Sequence, residues 1–197
     1  MKLVILGRDG ILNHYRDDHV KSPEEWQPIP GALEALARLN DAGWHAVVAT
    51  NQAGIGRGMI DMALVNAVHA HMMQLVQRAG GRIDAVFFCP HTPEDHCECR
   101  KPLPGMMHDI ARRYGLDLAN VPMVADTLRD LQAAAAAGCQ PHLVRSGRAA
   151  HLDPNTLSGM QQQVPTARVH TDLGAMVDHL LSLPAPAPRS RNQAGAA

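Results

Sequence analysis

Short aliphatic runs alternate along the chain with longer stretches of helical spacing. Residues 3–6, 45–49, 85–89, 121–125 and 141–144 are β-branched or aliphatic runs of strand length, and 167–170 offers a weaker sixth. Between them lie amphipathic segments. Ala32, Leu33, Ala35, Leu36 and Leu39 fall at helical spacing before a stop at 40–43. Leu64, Val68, Met72, Leu75 and Val76 predict one apolar helix face across 61–79, ended by Gly80 and Gly81. Pro104 suits the first turn of a helix whose face is Met107, Ile110, Ala111 and Tyr114. An Ala-rich helix over 128–137 stops at Gly138, and a last helix spans 173–181. Polar, Pro-punctuated residues 13–30 read as a long loop or cap-like excursion, and Gly54, Gly56 and Gly58 as a flexible loop.

Strands alternating with helices at this spacing predict parallel βαβ units. The expected fold is α/β, a three-layer Rossmann-like sandwich with a central, mostly parallel sheet and helices on both faces. One domain is expected over 1–183, followed by a disordered tail at 184–197 rich in Pro and Ala. Ligands of such sheets bind at the carboxyl ends of the strands. Those ends carry Asp9, Thr50, residues 89–101 and Asp126.

Composition narrows the picture. The 197 residues carry a formal net charge of −1, which gives no electrostatic reason to expect nucleic acid or an anionic membrane as partner. No apolar run approaches a membrane span or a secretion signal, so a cytoplasmic protein, monomeric through its self-contained core, is expected. Three of the four cysteines crowd into eleven residues. In a reducing compartment such crowding points to a metal rather than to disulfides. Cys89, His91, Cys97 and Cys99 form a C-x-H pair and a C-x-C pair, the thiolate and imidazole set of a closed, structural zinc site; His96 is a spare candidate. A zinc knuckle there would stiffen the loop that leads into Arg100 and Lys101.

A phosphate site needs hydroxyl or backbone donors, a cation and a magnesium ion held by carboxylates. Thr50 can donate to phosphoryl oxygens, Lys101 can neutralise them, Asp126 is a hard magnesium ligand, and Asp9 is placed as a general acid. Taken alone, Asp126 and Asp130 equally suit a helix cap and a first-turn acid. Their occurrence with the others at successive strand ends favours phosphate chemistry.

The order of these motifs resembles the haloacid-dehalogenase (HAD) superfamily. The stretch from Thr50 to Gly58 and the Cys/His loop running into Arg100, Lys101 and Pro102 are similar to its zinc-bearing heptose-1,7-bisphosphate phosphatases, with histidinol phosphatases as near kin. The resemblance implies a Mg2+- and Zn2+-dependent hydrolase of a small sugar bisphosphate in lipopolysaccharide-core precursor synthesis. It implies Asp9 as proton donor with its carbonyl on magnesium, Thr50 and Lys101 on the phosphoryl group, and Asp126 on magnesium. Tyr15, Arg16, Asp17, Asp18, Asn51, Gln52, Ala53, Arg100 and Thr127 are implied to contact the sugar phosphate. One position departs: where the superfamily's D-x-D-G motif has its nucleophilic aspartate, this chain has Gly7. A non-catalytic sugar-phosphate binder, or a phosphatase of histidinol phosphate or another small phosphomonoester, are the alternatives.

Overall fold

The structure, a computed structural model, describes residues 1–183; the tail expected at 184–197 lies outside the described residues. Six strands form one sheet in the order β3-β2-β1-β4-β5-β6: β1 (Lys2–Leu6), β2 (Trp44–Asn51), β3 (Ala85–Cys89), β4 (Pro122–Ala125), β5 (Gln140–Val144) and β6 (Arg168–His170). Every neighbouring pair is parallel, so the sheet is wholly rather than mostly parallel. The chain winds outward from β1 to β3, then returns to β4 beside β1. A topological switch point therefore falls between β1 and β4, where open α/β sheets bind ligands.

The strand alternation sorts the core. Val4, Leu6, Ala46 and Val48 face the layer of α1 (Ala32–Asp41), α3 (Met62–Arg78) and α7 (Leu173–Ser182). Leu3, Ile5, Val47 and Ala49 face the opposite layer, which includes α4 (Gly105–Tyr114) and α5 (Leu128–Ala136). Both faces are covered, so the strands are apolar on both sides, as parallel sheets require. With few aromatics available, the filling is aliphatic. Truncating a fully buried Leu36 or Leu39 to Ala would cost about 2–5 kcal/mol.

Caps fix where the helices start. Asp61 accepts the Leu64 amide at 2.8 Å, Thr127 accepts the Asp130 amide at 3.3 Å, and Asp172 accepts the Ala175 amide at 2.8 Å. Four sequence expectations need correction. Residues 13–30 are the long loop but not a cap-like excursion: Val20, Trp26 and Ile29 are buried, and the turn Pro23–Glu25 packs on α3. The Gly54 segment opens with a helical turn, α2 (Ala53–Gly56), because its amides find carbonyls at Gln52, Pro90 and Ala53. An unforeseen helix, α6 (Pro154–Gln163), starts at Asp153, whose carboxylate caps Asn155 and Thr156. Finally, α3 buries Val65, Val68, His69, Met72 and Val76 and leaves Leu64 39% exposed. Its buried stripe is thus rotated by one residue and admits a histidine.

Candidate active site

One polar cleft opens over the carboxyl ends of β1, β2 and β4, lined by Gly7, Asp9, Thr50, Lys101 and Asp126 among others. These five come from four chain segments and meet only because β1, β2 and β4 are adjacent. The loop after β1 turns tightly: the Gly10 amide donates to the Asn13 carbonyl at 2.7 Å, and the Leu12 amide to Arg8 at 2.9 Å. Gly10 has φ +80°, and a Cβ there would collide with the Asp126 carboxylate. Glycine is thus demanded twice, by conformation and by close approach.

Asp9 accepts from Asn13 Nδ2 at 2.9 Å, Arg8 Nη2 at 3.1 Å and Gln52 Nε2 at 3.2 Å. Burial alone would raise its carboxyl, but the Arg8 guanidinium and these donors outweigh burial and hold it below the ordinary carboxylate range. Gln52 Nε2 also donates to Thr50 Oγ1 at 2.9 Å, so one amide orients both the acid and the hydroxyl. Arg8 is itself 2% exposed and meets His69 Nε2 at 3.2 Å. Burial, then Arg8, pushes His69 down to about 4, so a neutral imidazole can accept from the guanidinium.

Lys101 is 3% exposed. Its ammonium donates to the Ala49 carbonyl at 2.9 Å and pairs with Asp130 at 3.2 Å. Its main chain is clamped from both sides by Asn51, which donates Nδ2 to the Lys101 carbonyl at 3.0 Å and accepts the Lys101 amide at 3.2 Å. Asp126 accepts the Arg148 amide at 2.9 Å, and burial followed by the charge of Asp130 pushes its pKa up to about 6. A buried carboxylate raised in this way, beside a second one, is a site that a divalent cation would relieve. Asp126 therefore fits a magnesium ion; the Asp9 carboxylate is engaged by Arg8, Asn13 and Gln52, and Gly7 contributes no ligand side chain.

The zinc expectation can be tested on distances. Cys89 Sγ lies 3.6 Å from His91 Nδ1 and 3.6 Å from Cys97 Sγ; Cys99 Sγ lies 3.5 Å from Cys97 Sγ and 3.3 Å from His91 Nδ1. With metal–sulfur bonds of about 2.3 Å, the edge of a tetrahedron is about 3.8 Å, slightly less towards nitrogen. All four ligand atoms lie within 4.8 Å of one another. Burial and the neighbouring thiols push Cys99 up to about 12, so the cluster needs a cation to ionise fully. These residues fit zinc; His96, at φ 49° in the turn, is not among them. The loop is braced from two sides. Arg100 Nη1 donates to the His91 carbonyl at 3.1 Å, and a Cβ at Gly105 would collide with the Glu98 carbonyl, so glycine lets α4 begin against it.

Of the implied substrate contacts, Tyr15, Arg16, Asp17, Asn51, Gln52, Ala53, Arg100 and Thr127 line the cleft. Asp18 does not: it is held by Arg16 and Lys21, with Nζ at 2.6 Å. Asn51 and Gln52 spend their amides on positioning Lys101, Asp9 and Thr50. Sequence reading missed His19, His69, Arg57 and Arg148. His69 had left a signal, a polar residue in register with an apolar helical stripe. Arg148 had none, because its segment follows β5 with no motif.

A parallel sheet carrying an acid, a hydroxyl and a lysine at strand ends around the switch point defines a HAD-type phosphohydrolase. A HAD-hydrolase-like family profile matches residues 98–175, and one described as Polynucleotide kinase 3 phosphatase matches residues 9–127. The D-glycero-beta-D-manno-heptose-1,7-bisphosphate 7-phosphatase of Bordetella bronchiseptica is 53% identical over 182 residues, covering 92% of this chain and 98% of that protein. That of Pseudomonas aeruginosa is 49% identical, covering 74% and 82%. A crystal structure of the Bordetella D,D-heptose 1,7-bisphosphate phosphatase, complexed with magnesium and phosphate, superposes with a TM-score of 0.85 at 52% identity over 92% of this chain and 98% of that one. The chain belongs to the heptose-1,7-bisphosphate 7-phosphatase family of the HAD superfamily.

Proposed function

We propose that this chain binds D-glycero-D-manno-heptose 1,7-bisphosphate as a cytoplasmic phosphatase of lipopolysaccharide-core precursor synthesis, and that Gly7 leaves it without its nucleophile. The observation that carries the reading is the convergence of Asp9, Thr50, Lys101 and Asp126 on one cleft beside Gly7. Kinship with the named relatives supports the choice of substrate.

In the reaction so read, a carboxylate at the first position of the motif attacks phosphorus, and the bond to the C7 oxygen breaks. Asp9 gives its proton to that departing oxygen. The low carboxyl pKa of the ligand-free protein means that Asp9 takes up its proton with the phosphoryl group, whose negative charge offsets Arg8. Thr50 and Lys101 donate to the phosphoryl oxygens, held by Gln52 and Asn51. In the second step Asp9, now a base, removes a proton from the water that cleaves the acyl phosphate. Asp126 and the Asp9 carbonyl would hold a magnesium ion, which would supply positive charge to the phosphoryl oxygens; the Cys/His loop would hold Arg100 and Lys101 in place.

Gly7 can supply none of the attack. Nothing in the backbone demands glycine there: its φ is not in the left-handed region, and the nearest atoms to a Cβ would be Ile11 Cγ1 at 3.0 Å and Val124 O at 3.5 Å. A Cβ, the first atom of an aspartate side chain, is accommodated if the buried Ile11 gives by a few tenths of an ångström. Loss of a covalent nucleophile lowers turnover by roughly 10⁴ or more. The test is phosphate release from heptose bisphosphate and from histidinol phosphate by this chain and by Gly7→Asp. Inertness of Gly7→Asp on the heptose would contradict the substrate.

A further inference from the structure

A buried guanidinium has N–H donors on every side to satisfy, and Arg8, 2% exposed, divides them between two side chains. Nε and Nη2 donate to Asp9 Oδ1 at 3.3 Å and 3.1 Å. Nη1, at the other end of the fork, meets His69 Nε2 at 3.2 Å. The Asp9 carboxyl is held at both oxygens, Oδ1 by Arg8 and Asn13 and Oδ2 by Gln52. His69 is the remote end of this chain of contacts, on α3 and outside the lining of the cleft.

Histidine meets a narrow chemical demand there. The rest of the buried stripe of α3 is Val65, Val68, Met72 and Val76. An apolar side chain at position 69 would continue that stripe and leave Nη1 a buried donor without its partner. A carboxylate would compete with Asp9 for the guanidinium, and a lysine or arginine would repel it. A neutral imidazole does neither: Nε2 accepts, Nδ1 carries the ring proton, and the charge of Arg8 is left to Asp9. The ring is uncharged at neutral pH because burial, then Arg8 itself, disfavours its protonation. It is also held in place, tilted against the Phe88 ring of β3 with centroids 5.9 Å apart. Phe88 pairs with Thr50 in the β2–β3 ladder, so the anchor of the acid is built on the strand pair that carries the hydroxyl.

We propose that His69 is a positioning residue of the phosphatase site: as a neutral acceptor it fixes the Arg8 guanidinium, and through it the Asp9 carboxyl group, in the orientation that proton transfer requires. The effect on turnover rests on the phosphatase reading of the cleft; the anchoring of Arg8 does not.

Side-chain nitrogen-15 spectra of the unaltered chain read the anchoring directly, with the Arg8 signals assigned by through-bond correlation to its backbone. Held at both ends of the fork, the guanidinium should turn slowly about Nε–Cζ and show two separate Nη signals. In His69→Leu the exchange between them should quicken roughly tenfold or more, as loss of a charge-assisted hydrogen bond allows. In His69→Gln, whose amide oxygen still accepts, it should stay slow. The kinetic arm uses Gly7→Asp as parent. Adding His69→Leu should lower kcat for heptose bisphosphate roughly 10- to 100-fold and leave KM within about twofold, and His69→Gln should recover most of the loss. A purely structural role would lower urea stability in both variants and leave kcat of the folded enzyme unmoved. A single averaged Nη signal in the unaltered chain, unchanged exchange in His69→Leu, or equal kcat for Leu and Gln variants would overturn the proposal. Inertness of Gly7→Asp, with the guanidinium freed in His69→Leu, would sink the phosphatase reading and support the anchoring.

Discussion

Three histidines cluster away from the cleft, His142 on β5 stacked on His170 of β6 and both tilted against His179 of α7, with ring centroids 5.2–5.8 Å apart. His142 Nδ1 and His170 Nε2 are 3.0 Å apart, a separation that needs one neutral acceptor. His142 is 1% exposed. Burial, then the charges of His170, His179 and Arg168, push it down from 6.5 to about 3. The folded protein therefore keeps this ring neutral where the unfolded chain protonates it. Stability is complete above pH 6.5 and is lost as pH falls towards 3, because the unfolded state takes up the proton first. At pH 5 the unfolded ring is almost fully charged and the folded one neutral, which costs about 2 kcal/mol; the loss grows by about 1.4 kcal/mol for each further pH unit. Urea unfolding of the parent and of His142→Asn at pH 7.5 and pH 5.0 reads this directly. The variant should lose about 2 kcal/mol less than the parent between the two pH values. Identical losses would refute the reasoning, whatever the variant's absolute stability.

Lys101→Met would leave the buried Asp130 with only Arg129 at 3.8 Å; chemical unfolding should show a loss of about 2–4 kcal/mol, with sugar-phosphate binding abolished. Metal analysis of freshly purified protein should find about one zinc per chain, and Cys97→Ser should lower both zinc content and melting temperature together. Magnesium must compete with a proton for Asp126, so its affinity should fall roughly tenfold between pH 7 and pH 5 in a direct titration.

The fold was largely legible in the chain because both sheet faces are covered. Continuous apolar runs such as 121–125 then have only one use, and glycines mark the turns between them. Beyond residue 150 the signal weakened: α6 has one buried residue, Met160, so its periodicity is faint, and only the Asp153–Pro154 start announced it. In the site, residues adjacent in sequence to a motif are brought together, including the three cysteines and the histidine that the loop gathers within 4.8 Å. What was not legible was the division of labour. Asn51 and Gln52 read as substrate contacts, yet their amides are spent on Lys101, Asp9 and Thr50. Asp18 read the same way, but two neighbouring cations draw it out of the cleft. Arg148 reaches Tyr15 across more than 130 positions, a contact set by the order of strands and not by local pattern.

The central claim is that Gly7 is a missing nucleophile in an otherwise complete phosphatase site. The measurement that tests it is kcat for phosphate release from heptose 1,7-bisphosphate by this chain, by Gly7→Asp and by Gly7→Asn, which fills the same space without a nucleophile. The account predicts that Gly7→Asp exceeds both others by roughly 10⁴-fold or more. Turnover by the unaltered chain at the rate of Gly7→Asp would contradict it.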